Sequence, residues 1–249
     1  MSILSTKKLA KHFDGVKAVG GVSIELNAGE VVGLVGPNGS GKSTLINLLT
    51  GVIRNSSGTM QVDSVSKKKI YPYDASYYGL TRTFQDVRIF EQMSVLDNIL
   101  VVLTERSVFS AFFERHKEYH LDKAKGILEK VNLWHKKEEM ASSLSYGQRK
   151  LLEVARVLAM CESGHRESEI IFFDEPFAGL FPEIVKVVMN IIRELKQKGK
   201  TIVLVEHNME IIRELSDRVI VMDSGEILAE GDPEKVLNQR NVIEAYLGD

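Results

Sequence analysis

The nine residues Gly-Pro-Asn-Gly-Ser-Gly-Lys-Ser-Thr, from Gly36 to Thr44, constrain this chain more than any other segment. They follow an apolar run, Val31-Val32-Gly33-Leu34-Val35, and precede another, Leu45 to Leu49. A glycine-rich stretch packs poorly, so its place between a predicted buried strand and a predicted helix needs a reason. The pattern G-x-x-x-x-G-K-[ST] supplies one. Glycines let the backbone turn tightly and come close to a phosphate with no Cβ in the way. Successive N–H groups then converge as an anion nest, and the following helix adds the positive end of its dipole. Gly36, Pro37, Asn38, Gly39, Ser40, Gly41, Lys42, Ser43 and Thr44 are therefore read as a nucleotide cradle. Lys42 is expected to reach the β- and γ-phosphates, and the Ser43 hydroxyl to ligate Mg²⁺.

Composition sets the frame for this loop. The chain has 249 residues, 27% of them charged, with a formal net charge of -2. That is globular composition with no overall positive field, which argues against nucleic acid as a partner held through its phosphates. Cys161 is the only cysteine, so no internal disulfide is possible and a reducing compartment fits. It reads as a small core hydrophobe rather than a nucleophile. The first residues, Met1 to Lys8, lack the apolar stretch of a signal peptide, and no apolar run reaches about 18 residues, the length needed to span a bilayer.

Apolar runs of four or five residues alternate with helix-period segments. Strands are expected at Ile3–Leu9, Val22–Leu26, Val31–Val35, Thr59–Val62, Ile170–Phe173, Thr201–Val205 and Val219–Met222. Helices are expected at Lys42–Leu49, Val95–Leu103, Leu121–Val131, Gly147–Met160, Pro182–Gln197, Met209–Leu215 and Val242–Leu247. This order implies an α/β fold with a parallel sheet. Between Gln85 and Ser143 no strand is apparent, and the segment reads as a helical insertion.

Ile170-Ile171-Phe172-Phe173 ends in Asp174-Glu175. A buried strand has no use for carboxylates at its tip unless a cation or substrate meets them. In a phosphate-loop protein the first acid, Asp174, holds Mg²⁺ directly or through water. Glu175 stands where a general base would polarise the attacking water. Leu144-Ser145-Tyr146-Gly147-Gln148 precedes an amphipathic helix, with Ser145 as its expected N-cap.

That last element, placed between the glycine loop and the acid-tipped strand, resembles the LSGGQ signature of ATP-binding cassette (ABC) ATPases. The resemblance covers nearly the whole chain. It implies a P-loop NTPase core with an antiparallel β subdomain and a helical subdomain near residues 85–160, all within one nucleotide-binding domain of residues 1–249. It also implies ATP and Mg²⁺ as ligands. Phe13 matches the aromatic that stacks on adenine. Gln85, in Arg82-Thr83-Phe84-Gln85, matches the glutamine that touches Mg²⁺ or the water. His207 matches the switch histidine that contacts the γ-phosphate. Ser145, Gly147 and Gln148 match the signature that closes on the nucleotide of a paired cassette.

Two departures stand out. Tyr146 replaces the first signature glycine, and Phe181 stands where the family usually has an aspartate, which puts the usual contact across the dimer in doubt. The segment from Cys161 to Ser168 lengthens the gap before the acid-tipped strand and reads as a polar surface loop. Arg82 to Phe90, Ser145 to Arg149 and the tail Val242 to Gly248 resemble the ATPase subunits of branched-chain amino-acid importers. Urea importers and lipopolysaccharide exporters are similar in pattern, and a non-transport ABC ATPase is a further alternative. The resemblance implies transmembrane permease subunits and a second cassette, identical or different, as partners. It implies peripheral attachment through those partners at the cytoplasmic face of a membrane. A GTPase is disfavoured because no N-K-x-D element is present, and a regulatory cassette because Glu175 and His207 are both retained.

Overall fold

Three strands are buried along their whole length: β4 (Val31–Val35), β8 (Ile170–Asp174) and β9 (Thr201–Val205). Unbroken apolar runs of this length suit the inside of a parallel sheet covered on both faces. They lie together in a six-stranded sheet with β7 (Leu80–Arg82), β10 (Arg218–Asp223) and β11 (Glu226–Gly231), in the order β11-β10-β4-β9-β8-β7. All pairings are parallel except β10 with β11. The register pairs Leu34 with Val205 and Val205 with Asp174, so the strands end along one carboxyl edge. That edge is where open α/β sheets bind ligands. The computed structural model describes residues 2–62, 65–67, 71, 75, 77–103, 115–162 and 169–247.

A second sheet is antiparallel. β1 (Ser2–Phe13) pairs with β2 (Val16–Val22), with β3 (Glu25–Asn27) and with β5 (Ser57–Val62), and β5 pairs with β6 (Val65–Lys67). The expected strand Val22–Leu26 is in fact divided, because Val22 closes β2 and Leu26 belongs to β3. Thr6 bridges the break. Its hydroxyl donates to the Val22 carbonyl at 3.1 Å and accepts from Ile24 N–H at 3.0 Å. The β1–β2 turn is Asp14-Gly15, both with positive φ (41° and 91°), as a two-residue type I′ hairpin requires.

Contacts divide the chain into two units. The first comprises Met1–Arg82, Glu169–Glu175 and Ile192–Asp249, and contains both sheets. Its core joins Leu4, Val19 and Leu26 of the antiparallel sheet to Leu34, Phe172 and Ile220 of the parallel one. Helix α1 (Lys42–Leu49) enters that core through Leu45, Ile46 and Leu49.

The second unit comprises Thr83–Ser168 and Pro176–Ile191. Its helices are α2 (Val95–Leu103), α3 (Arg115–Lys130), α4 (Tyr146–Glu162) and the first part of α5 (Pro182–Gln197). Ser94 caps α2: its hydroxyl accepts Asp97 N–H at 3.0 Å and donates to the Asp97 carboxylate at 2.7 Å. Asn98 is wholly buried and satisfied, exchanging two hydrogen bonds with the Phe90 backbone and donating to the Ser94 carbonyl. Helix α4 runs two residues past its expected end to include Cys161, which is buried, and Glu162. The rest of the expected polar loop, residues 163–168, lies outside the described residues, as does Gly248 of the tail. Helices α6 (Met209–Leu215), α7 (Pro233–Val236) and α8 (Arg240–Leu247) belong to the first unit. Among the described residues no helix is long and apolar enough to cross a membrane.

Candidate active site

β4 ends at Val35 and the chain turns directly into the glycine loop. Gly36 has φ +148°, and a Cβ there would lie 2.1 Å from the Met222 carbonyl oxygen. At Gly41, φ is +100° and a Cβ would lie 2.4 Å from the Ala18 carbonyl oxygen. Both positions therefore exclude a side chain by contact as well as by backbone angle. The loop is braced from the edge of the parallel sheet. The β10–β11 turn, Ser224-Gly225, places Gly225 N–H 3.0 Å from the Ser40 carbonyl, while the Gly225 carbonyl accepts from Gly20 N–H at 2.7 Å. Helix α1 starts at Lys42 with no side-chain cap and no acid in its first turn. Its leading N–H groups are thus available to an anion.

Lys42 curls back over this loop. Its ammonium donates to the carbonyls of Gly36 (2.8 Å) and Pro37 (2.9 Å) and lies 3.4 Å from the Ser40 hydroxyl. Burial lowers its pKa from the usual lysine value, and the charges of Glu175 and Asp174 act in the opposite sense. Ser43 is exposed at the first turn.

Two strand ends contribute acids and a histidine. Asp174, the last residue of β8, is buried. Its Oδ2 accepts from Nη2 of Arg82 at 3.0 Å. Glu175 follows with φ +50°, a left-handed conformation that a glutamate adopts at a cost of about 1–3 kcal/mol. Its N–H donates to the Val205 carbonyl at 3.0 Å, which holds the residue against the neighbouring strand end. Just past that strand end, His207 Nε2 lies 3.0 Å from Glu175 Oε1. The two residues stand 32 apart in sequence, and the fold makes them direct partners across the sheet edge.

Phe13 stands half-exposed at the end of β1, with the Lys11 ammonium 4.7 Å from its ring centroid. Tyr246 lies near the end of α8. Burial pushes its phenol up to about 12, and the Gly36 N–H faces its oxygen and opposes the shift without completing a hydrogen bond. The C-terminal helix thus abuts the start of the phosphate loop.

Gln85, Ser145, Gly147 and Gln148 belong to the second unit. Ser145 and Gln148 form a reciprocal capping box. Ser145 N–H donates to Gln148 Oε1 at 3.1 Å, and Gln148 N–H lies 3.4 Å from Ser145 Oγ. The expected N-cap is therefore present, with Gln148 completing it. A Cβ on Gly147 would lie 2.7 Å from the Ile184 side chain, so the glycine permits close packing of α4 against α5. Tyr146, the departure from the signature, rests its ring against Gly179.

Gln85 is exposed, and its backbone carbonyl accepts from buried Lys150 at 3.1 Å. One helical turn on, Glu153 Oε1 accepts the N–H groups of Phe84 (3.1 Å) and Arg88 (3.3 Å). Burial raises the Glu153 pKa above the ordinary carboxylate value, while those two N–H groups and Lys150 oppose the shift.

Comparison with known proteins agrees with this arrangement. Residues 19–178 match the family model described as ABC transporter. Residues 226–249 match that of the branched-chain amino acid ATP-binding cassette transporter. The chain is 37% identical to the high-affinity branched-chain amino acid transport ATP-binding protein LivG of Salmonella typhimurium, over 99% of this chain and 98% of that protein. It is also 37% identical to a probable LivG of Methanocaldococcus jannaschii, over 100% and 98%. The solved ADP conformation of the ABC transporter cassette MJ1267 superposes with a TM-score of 0.84 at 36% identity, covering both chains completely. A loop built for phosphate, acids at the adjoining strand end and matches along nearly the full length lead to one conclusion: the chain belongs to the ABC transporter family of ATP-binding cassettes and is an ATPase.

Proposed function

We propose that this protein is the ATP-hydrolysing subunit of a membrane importer of branched-chain amino acids. The single observation that carries the hydrolytic part is the 3.0 Å contact between Glu175 and His207 at the carboxyl edge that also carries the phosphate loop. The match of residues 226–249 to the branched-chain model supports the cargo, as do the printed functions of the LivG proteins.

In this reading the loop N–H groups and Lys42 bind the phosphates of ATP, and Phe13 stacks on the adenine. Lys42 exchanges its loop carbonyls for phosphate oxygens as nucleotide enters. Glu175 orients the attacking water and takes its proton on a carboxylate oxygen, while His207 holds that carboxylate in place and faces the γ-phosphate. Positioning and charge neutralisation carry most of the rate in such transfers.

The donors also suit Mg²⁺. Among the described residues no three His, Cys, Asp or Glu side chains cluster as a closed metal cage. Mg²⁺ prefers one or two protein oxygens, with waters and phosphate oxygens completing its shell. Ser43 and Asp174 would hold it. When bound it supplies charge neutralisation on the β- and γ-phosphates.

A second cassette, the same chain or a different one, presents its Ser145, Gly147 and Gln148 to the nucleotide, so that ATP favours the closed pair and hydrolysis releases it. Residues 85–160 act as a helical subdomain within the one cassette and carry that motion to permease subunits. The protein is held through them at the cytoplasmic face of the membrane. Lys42→Ala tests the reading: titration with labelled ATP is expected to show binding lost or nearly so. Retention at the affinity of the unaltered protein would contradict it.

A further inference from the structure

Arg82 takes no part in the steps above, yet its side chain joins the two elements that carry the magnesium donors. It is the last residue of β7 and the last of the first unit before the chain passes to Thr83. The side chain is 9% exposed. Nη2 donates to Asp174 Oδ2 at 3.0 Å, and Nη1 donates to Asn47 Oδ1 at 2.6 Å and lies 3.3 Å from Thr50 Oγ1. The Thr50 hydroxyl hydrogen is directed to the Ile46 carbonyl at 2.7 Å, which leaves that oxygen to accept from Arg82.

Asn47 lies four residues after Ser43 on α1, one helical turn further along the same face. Phe172, paired with Arg82 in the sheet, lies two residues before Asp174 on the same face of β8. Arg82 thus spans from the strand that ends in Asp174 to the helix that begins with Ser43.

We propose that Arg82 is a positioning residue: it fixes Asp174 relative to the Ser43 helix, so that both groups are set for Mg²⁺ before nucleotide arrives. Two features support this. A planar fork with several donors suits simultaneous contact with a carboxylate, an amide and a hydroxyl, which a lysine could not match. The acceptors come from two separate elements, so the contact acts as a brace rather than a local cap. Hydrogen-bonded partners of metal-binding side chains tune metal affinity in just this way. The inference rests on Asp174 as a magnesium residue.

The test is the Mg²⁺ dependence of nucleotide affinity, read with a fluorescent non-hydrolysable ATP analogue on the purified chain. Arg82→Gln is expected to leave affinity in EDTA unchanged and to raise the Mg²⁺ concentration needed for half of the affinity gain by about 10- to 100-fold. Asn47→Ala removes the shorter contact at the helix end of the brace, leaves that to Thr50 and the buried ion pair in place, and should move the midpoint the same way by less. It answers the question if Arg82→Gln fails to fold. Asp174→Asn separates the two claims: it should remove the Mg²⁺ effect, and if it does not, the assignment of Asp174 is the part that fails. With Asp174→Asn behaving as expected, an unmoved midpoint in Arg82→Gln, or in Asn47→Ala where Arg82→Gln does not fold, overturns the role of Arg82. A lowered midpoint also overturns it, because Arg82 would then be a competitor of the ion.

Discussion

Glu175 is held in a conformation that its side chain does not favour. Its φ of +50° places it in the left-handed region, and its amide is tied to Val205 while its carboxylate meets His207. Strain of this kind persists where surrounding contacts over-determine it, and it concentrates at working sites. Glu175→Gln keeps the size and one acceptor oxygen but removes the basic group. Phosphate release is expected to fall by about 10²–10⁴-fold, with nucleotide binding retained. Unaltered turnover in a phosphate-release assay would remove Glu175 from its role.

Phe181 makes a different argument at the same scale. It is 74% exposed and precedes Pro182, the first residue of α5, and its carbonyl accepts from Val185 N–H at 3.0 Å. It therefore stands at an N-cap, where an apolar side chain satisfies no backbone donor. Phe181→Asp should supply that acceptor and stabilise the chain by about 1 kcal/mol, measurable as a rise in denaturation midpoint. Nothing in the structure explains why a phenylalanine stands there.

Among the elements, α4 and the segment from Phe84 to Arg88 show how buried charge organises a loop. Lys150 and Glu153 occupy adjacent turns of α4 and hold the backbone on either side of Gln85. The raised pKa of Glu153 sets the sign of a pH effect. A carboxyl whose folded value lies above its unfolded one, near 4.5, favours folding at pH below that value. That contribution is lost as pH rises through the shifted value. Glu153→Gln should flatten this part of the stability profile, which thermal melts across the acid range would show; a parallel profile in both proteins would contradict the assignment.

Long elements were legible because their patterns are long. Val31–Val35, Thr201–Val205 and the helices Lys42–Leu49, Val95–Leu103 and Pro182–Gln197 fall where apolar periodicity puts them. Strand β2 was missed although Asp14-Gly15 is a strong hairpin signal, because Gly20-Gly21 weakens the strand pattern. β6 and β7, three residues each, are too short to carry a period. The glycine loop and the acids at the end of β8 could be read from residue type and neighbours alone. Arg82 could not, because its acceptors lie 35, 32 and 92 residues away, and only the folded sheet brings them together.

At the scale of the whole molecule, the chain enters and leaves two units several times, and the residues proposed for nucleotide binding and cleavage are drawn from both. It passes from one to the other after Arg82, the proposed brace, and after Glu175, the proposed base. The central claim is that the loop at Gly36 to Thr44 and the acids at the end of β8 together bind and cleave ATP. The most direct measurement is phosphate release from ATP by the purified chain as Mg²⁺ is varied, alongside Lys42→Ala. The account predicts turnover that saturates with ATP, requires Mg²⁺ and is lost in the variant. Equal release by the variant, or no release at any Mg²⁺ concentration, would contradict it.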